Sequence, residues 1–250
     1  MIRTMPNTGP AQCGSVRVRA LALAVALSAA GLSGCGGGGS SDAGNTTVYN
    51  LQAFYSNLAT TNRSITLTGT GSDGVTYKFV NQTVAKGTAV FAYDGSAGLA
   101  SQLTSKLYLN GTLNSTSVDT AYYDASSLAY IGNASSDGSC ETTNPAAAPP
   151  TAARQGTAGA LYQSVTYASC TSTASRLQTS TVQWAVSAID GYVFACENGS
   201  TLDAASGVTL TTSECYEIDS AGTIGTHARL SLSTPASSGA AAFSLVAKSY

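Results

Sequence analysis

The chain has 250 residues, 11 Lys+Arg against 13 Asp+Glu for a formal charge of −2, and only 10% charged against 43% hydrophobic residues. That balance leaves no basic patch for nucleic acid, and the abundance of small and hydroxyl-bearing side chains is that of an exported β protein, not a cytosolic helical enzyme. The length is enough for one large domain or two small ones with a sizeable core.

The first 34 residues have three parts: a basic region with Arg3, Arg17 and Arg19, an apolar stretch from Ala20 to Leu32, and the small pair Ser33-Gly34. This is the pattern of a secretory signal peptide, and the stretch is too short to read as a spanning helix. A translation start at Met5 leaves that reading unchanged.

Leu32-Ser33-Gly34-Cys35 resembles the lipobox of bacterial lipoproteins. The resemblance implies that Cys35 is thioether-linked to diacylglycerol, becomes the new N-terminus after cleavage and is then N-acylated, with palmitate-type chains. More than one chain makes such anchoring stable, at about 0.8 kcal/mol per buried methylene. In that family Asp after the cysteine favours retention at the inner membrane; Gly36 stands there and implies the outer membrane of a cell envelope. The partner implied is therefore membrane lipid held through acylated Cys35. Residues 35–46, rich in Gly and Ser, read as the anchor and a flexible tether. Removing the signal leaves 216 residues, with eight Lys+Arg against 13 Asp+Glu and a charge near −5.

A helix is expected at about 50–59, where Leu51, Phe54, Tyr55 and Leu58 fall at i, i+3, i+4 and i+7 behind Asn50 or Thr47 as N-cap. It should pack as a lid or plug against a sheet. From Ser64 the period becomes two, with turn residues about every ten positions, as in an antiparallel meander, sandwich or barrel. Ser72-Asp73-Gly74 and Asn110-Gly111 mark hairpins. Leu99, Leu103 and Leu107 suit either a helix face or a strand, and the strand is preferred. Residues 141–157 carry three prolines and read as a linker between a β lobe at 47–140 and a second at 158–250. One continuous barrel is the alternative.

Besides Cys13 and Cys35, the chain has Cys140, Cys170, Cys196 and Cys215. An even number in an exported domain reads as two disulfides, and the nearest-neighbour pairing Cys140–Cys170 with Cys196–Cys215 is preferred. Each is worth roughly 3–4 kcal/mol on the chain-entropy model. Spacings far from CxxC argue against a metal site.

Little in the chain points to catalysis. His227 is the sole histidine, and strand parity turns it outward with Arg229 and Ser231 while Ala228, Leu230 and Leu232 turn in. The mature chain has no GxSxG elbow and no SxxK motif for nucleophilic hydrolysis. Glu197, Glu214, Glu217 and Asp219 are the densest carboxylates; a pair flanking a cleft would suit glycoside hydrolysis, but alternation with Tyr216 and Ile218 turns Glu217 and Asp219 to solvent. The Asp-Gly pairs at 73–74, 94–95, 137–138 and 190–191 read as turns, since none continues into a calcium loop. Tyr122, Tyr123, Tyr130, Tyr162 and Tyr167 are candidates for a sugar- or aromatic-binding groove.

The reading that follows is a mainly β, lipid-anchored envelope protein of non-enzymatic structural or interaction role, with no catalytic residue, cofactor or metal assigned. Its mature part looks like uncharacterised Gram-negative envelope lipoproteins. Two alternatives belong to other classes: a periplasmic carrier of an apolar or sugar ligand beneath the 50–59 helix, and a carbohydrate-active enzyme using Glu214, Glu217 and Asp219.

Overall fold

A computed structural model describes residues 46–171, 174–236 and 241–250; the expected signal peptide, Cys35 and the tether up to residue 45 lie outside them. The protein is mainly β, built from fourteen strands and one helix among the described residues. A two-residue strand, β1 (Val48–Tyr49), leads into α1 (Leu51–Thr60). Then follow β2 (Arg63–Thr70), β3 (Thr76–Val90), β4 (Ala97–Leu109), β5 (Thr112–Tyr123), β6 (Tyr130–Ser135) and β7 (Cys140–Ala146). After β8 (Ala153–Arg154) come β9 (Ala158–Tyr167), β10 (Arg176–Ile189), β11 (Tyr192–Asp203), β12 (Thr209–Ile218), β13 (Ile224–Thr234) and β14 (Phe243–Lys248).

Twelve strands close into an antiparallel barrel in the order β10-β11-β12-β13-β14-β2-β3-β4-β5-β6-β7-β9, while β1 pairs separately with β8. Neighbours in sequence are neighbours in space almost throughout, because tight turns join them. At Asn110-Gly111 both residues take positive φ, 48° and 84°, the conformation a two-residue hairpin turn requires. Closure comes at β14–β2, where Lys248 pairs with Thr68 and Gly71 bridges to Leu245. The strands touch so closely there that a Cβ on Gly69 would lie 2.1 Å from the Val246 carbonyl oxygen.

The expected division into two lobes is corrected by this closure, as is the first part of the linker at 141–157; residues 147–157 connect β7 to β9, with β8 pairing β1 apart from the barrel. Cys140–Ala146 is a barrel strand that pairs with β6 on one side and β9 on the other. Pro145 falls in the register break between Thr143 and Ala146, where its missing N–H interrupts no regular ladder.

The helix forms as its sequence suggests. Asn50 caps it by accepting from the Ala53 N–H at 3.0 Å, and Leu51, Phe54, Tyr55, Leu58 and Ala59 are buried. They pack with Val182, Val186, Ala195 and Ile218 of the wall, so α1 fills one end of the barrel as a plug. The Asn50 N–H donates to the Ser220 carbonyl, Gln52 N–H to the Pro150 carbonyl, and the Asn57 side chain to the Gly222 carbonyl. A second core, of Leu67, Phe79, Leu107, Leu230, Leu232 and Leu245, fills the side made by β2–β4, β13 and β14.

Much of the outer face is polar, although Val90, Leu113 and Val246 are exposed. Exposed outward positions such as Thr66, Thr68, Lys78, Gln82, Lys106 and Thr179 carry hydroxyl, amide or ammonium groups. A lipid-facing barrel presents an apolar band there. No helix among the described residues is long and apolar enough to cross a membrane.

Both disulfides are on the wall. Cys140 joins Cys170, and Cys196 joins Cys215 directly across the β11–β12 ladder.

Candidate functional site

The interior between α1 and the wall is not uniformly apolar. A chamber of about 110 Å³ lies there, lined by Glu197, Glu214, Asp119, Arg63 and the rings of Tyr123, Tyr130, Tyr162 and Tyr216, with Leu58 as its helix-side wall. Strand register explains the grouping. Glu197 on β11 is directly opposite Glu214 on β12, so their side chains share the inner face. Across β2 to β5, Arg63 pairs with Thr83, Thr83 with Leu103 and Leu103 with Asp119, which brings those residues to the same inner face.

Arg63 is the cation in this wall. Its guanidinium donates to the carbonyls of Asn57 and Leu58 at 3.4 and 3.3 Å, satisfying the C-terminal end of α1. It also lies 5.5 Å from the centroid of the Tyr216 ring. The Tyr216 hydroxyl donates to Glu214. A wider groove of about 350 Å³, lined by Asn57, Asn62, Ser64, Thr223 and Thr226, shares Arg63 with the chamber.

Burial governs the charge states. It pushes the Glu197 carboxyl up to about 7, with the nearby Glu214 charge adding to the shift and the Tyr55 hydroxyl and then the Arg63 charge opposing it. Glu214 is raised by burial, against the Tyr216 hydrogen bond and Arg63. Glu141, 1% exposed on β7, is pushed by burial up to about 7 as well, while the Tyr130 hydroxyl donates to it at 3.4 Å. Tyr55 of α1 is 3% exposed, and burial, then the Glu197 charge, raises its phenol well above the usual range. Its hydroxyl lies against Glu197, and the interaction with that carboxylate contributes to the shift.

The acidic positions read from the sequence therefore divide. Glu197 and Glu214 are in the chamber, whereas Glu217 is on the outer face and Asp219 is in the turn that follows β12. The cluster Glu214, Glu217 and Asp219 is not one site, because residues three apart on a strand point to opposite faces. His227 turns outward as its parity requires: its Nδ1 is 2.8 Å from Glu217 Oε2, and its ring is 4.1 Å from Tyr192 and 5.0 Å from Tyr250.

The five tyrosines divide for the same reason. Tyr123, Tyr130 and Tyr162 form an inner stack, with centroids 5.6 and 4.6 Å apart. Tyr122 faces out against Phe91 at 5.0 Å, and Tyr167 stacks on Tyr93 at 5.6 Å near the Cys140–Cys170 bridge. Tyr122 and Tyr123 are consecutive, so a strand cannot turn both inward.

Sequence reasoning missed Arg63, Asp119 and Glu141 as inner residues. The usable signal was parity: Arg63 is in step with Ile65 and Leu67, both of the apolar side of β2. No group of acidic, histidine or cysteine side chains among the described residues is arranged to hold a metal ion. Compared with protein-family models, curated proteins and solved structures, the chain matches none.

Proposed function

We propose that this protein is exported, acylated at Cys35 and held at the outer membrane of a bacterial envelope, where its barrel is a non-enzymatic binding module for a small polar ligand. The signal-like N-terminus and the lipobox resemblance support the location. The chamber supports the binding role, and it is the observation that carries it. Burying carboxyl groups and a guanidinium is costly unless they are paired or used, and a core that only supported a fold would be expected to fill this space with apolar side chains. Converging polar groups with shifted ionisation in a cavity inside a barrel are the usual marks of a ligand site.

The chamber's size and lining select among ligands. At about 110 Å³ the chamber itself is below the roughly 300–1,000 Å³ of drug-sized pockets and suits a small ligand. Carboxylates and phenols in the wall also disfavour an apolar cargo. Of the carboxylates grouped for hydrolysis in the sequence, Glu217 and Asp219 lie outside the chamber, and only Glu214 is in it, opposite Glu197.

Mass spectrometry tests both halves of the proposal. Under denaturing conditions the purified protein is expected to begin at Cys35 and to carry the added mass of acyl chains; under native conditions a small molecule should remain bound. An unmodified Cys35 rejects the anchor, and a chain that retains nothing and takes up no small molecule rejects the binding role.

A further inference from the structure

The seam where the barrel closes holds a second candidate site, apart from the chamber. β14 ends at Lys248, opposite Thr68, whereas its neighbours β2 and β13 run on toward α1, to Arg63 and Ile224. The Ser72 N–H donates to the Ser244 carbonyl at 2.8 Å and Thr68 pairs with Lys248, so the even-numbered positions of β2 turn their main-chain groups toward β14. Past the end of β14 the next two of these, Thr66 and Ser64, have no ladder partner on that side among the described residues. The facing edge of β13 is satisfied by side chains instead: the Thr226 N–H donates to Glu217 Oε2, and its carbonyl accepts from the Ser249 hydroxyl.

The groove of about 350 Å³ lies in this gap, within the size range of small-molecule pockets. Its frame is fixed, because Asn57 Nδ2 donates to the Gly222 carbonyl at 3.0 Å and Asn62 Oδ1 accepts from the Ala85 N–H at 2.8 Å. The Thr61, Ser64 and Thr226 hydroxyls in its lining enter no hydrogen bond among the described residues, and Ile65 and Ile224 add apolar contact. Arg63 is the one charged side chain in the lining; it donates to two α1 carbonyls and offsets the charges of Glu214 and Glu197 behind it.

We propose that this groove binds a single neutral sugar ring, its hydroxyls bonded to the Ser64 main chain and to the Thr61 and Thr226 hydroxyls, its C–H groups against Ile65 and Ile224. A sugar hydroxyl donates and accepts at once, which matches a lining that offers N–H, C=O and hydroxyl groups together. An acyl chain would leave those groups unpaired, and an anion would meet the carboxyl groups behind Arg63. The site does not depend on the chamber being occupied.

The test is ligand-observed saturation-transfer NMR on the full mature chain in detergent. D-glucose, D-galactose, D-mannose and N-acetyl-D-glucosamine are the probes, with glycerol and sodium acetate in parallel. Saturable binding of at least one sugar, and of neither control, is expected. Thr61→Val and Thr226→Val, which keep the shape and remove one hydroxyl each, should weaken it severalfold. Thr226→Trp, which fills the groove from the β13 side, should abolish it, whereas Lys106→Trp on the outer face of β4 should leave it unchanged. The valine variants keep the test decisive if the tryptophan variant fails to fold. No saturable sugar binding, equal binding of glycerol or acetate, or an unchanged affinity in the Thr61 and Thr226 variants overturns the proposal. None of these results bears on the chamber, which is judged separately by what native mass spectrometry finds retained when the groove is filled by Thr226→Trp.

Discussion

Glu197 and Glu141 are carboxyl groups whose neutral form the fold favours. Burial raises each from the ordinary 4.5 to about 7. Below pH 4.5 both are neutral in folded and unfolded chains alike. Between there and about pH 7 the unfolded chain releases their protons while the folded chain keeps them, so stability falls as pH rises. Above pH 7 that loss is complete, on the order of 3 kcal/mol for each group. Urea midpoints in the absence of ligand are therefore expected to fall between pH 5 and pH 8. Glu197→Gln, which is neutral at every pH, should flatten part of that slope; a wild-type profile that is level or rises over this range contradicts the burial argument.

At the scale of elements, α1 matters most for the chamber, since Leu58 walls it and Tyr55 packs beside Glu197. Phe54 is 1% exposed, its ring 5.1 Å from that of Tyr55 and 6.2 Å from that of Tyr216. Phe54→Ala is expected to destabilise the protein by about 3–5 kcal/mol, because the surrounding wall relaxes only in part around the space left. Chemical denaturation reads this directly, and a loss under 1 kcal/mol would show that the helix is not a packed plug. The helix was legible in the sequence because its cap, its period and its length agree. The inward direction of Glu197 and Glu214 was not: β11 and β12 carry apolar side chains on both faces, Val193 and Ala195 on one and Phe194 and Cys196 on the other. Parity alone placed Glu197 and Glu214 in step with one set, but it did not say which set faced the interior.

For the whole molecule, the strand-rich pattern, the hairpin turns and the pairing of cysteines were all readable locally, whereas closure into one barrel was not. The proline-rich stretch looks like a boundary because proline usually interrupts a sheet; here Pro145 falls at a register break in β7, and Pro149 and Pro150 lie in the connection from β7 to β9. Both disulfides join strands that are already close: Cys196 and Cys215 are directly paired, and Cys140 pairs with Tyr167, three residues before Cys170. They strengthen the ring without creating it. Reduction is expected to lower stability by roughly 3 kcal/mol per bridge on the chain-entropy model and to leave the far-ultraviolet strand signal intact at room temperature. Collapse of that signal on reduction would show that the bridges are conditions for the barrel.

The join between β14 and β2 has a further consequence, for the order of assembly. Every other barrel ladder connects segments close in the chain, but this one unites Thr68 with Lys248, and its contacts are few. Long-range contacts of this kind form late, because loop closure must precede any gain from them. During folding the earlier hairpins can form one after another as an open, curling sheet. The inner carboxylates remain in water until the last strand arrives, so their shifted ionisation comes into being only with the final stitch.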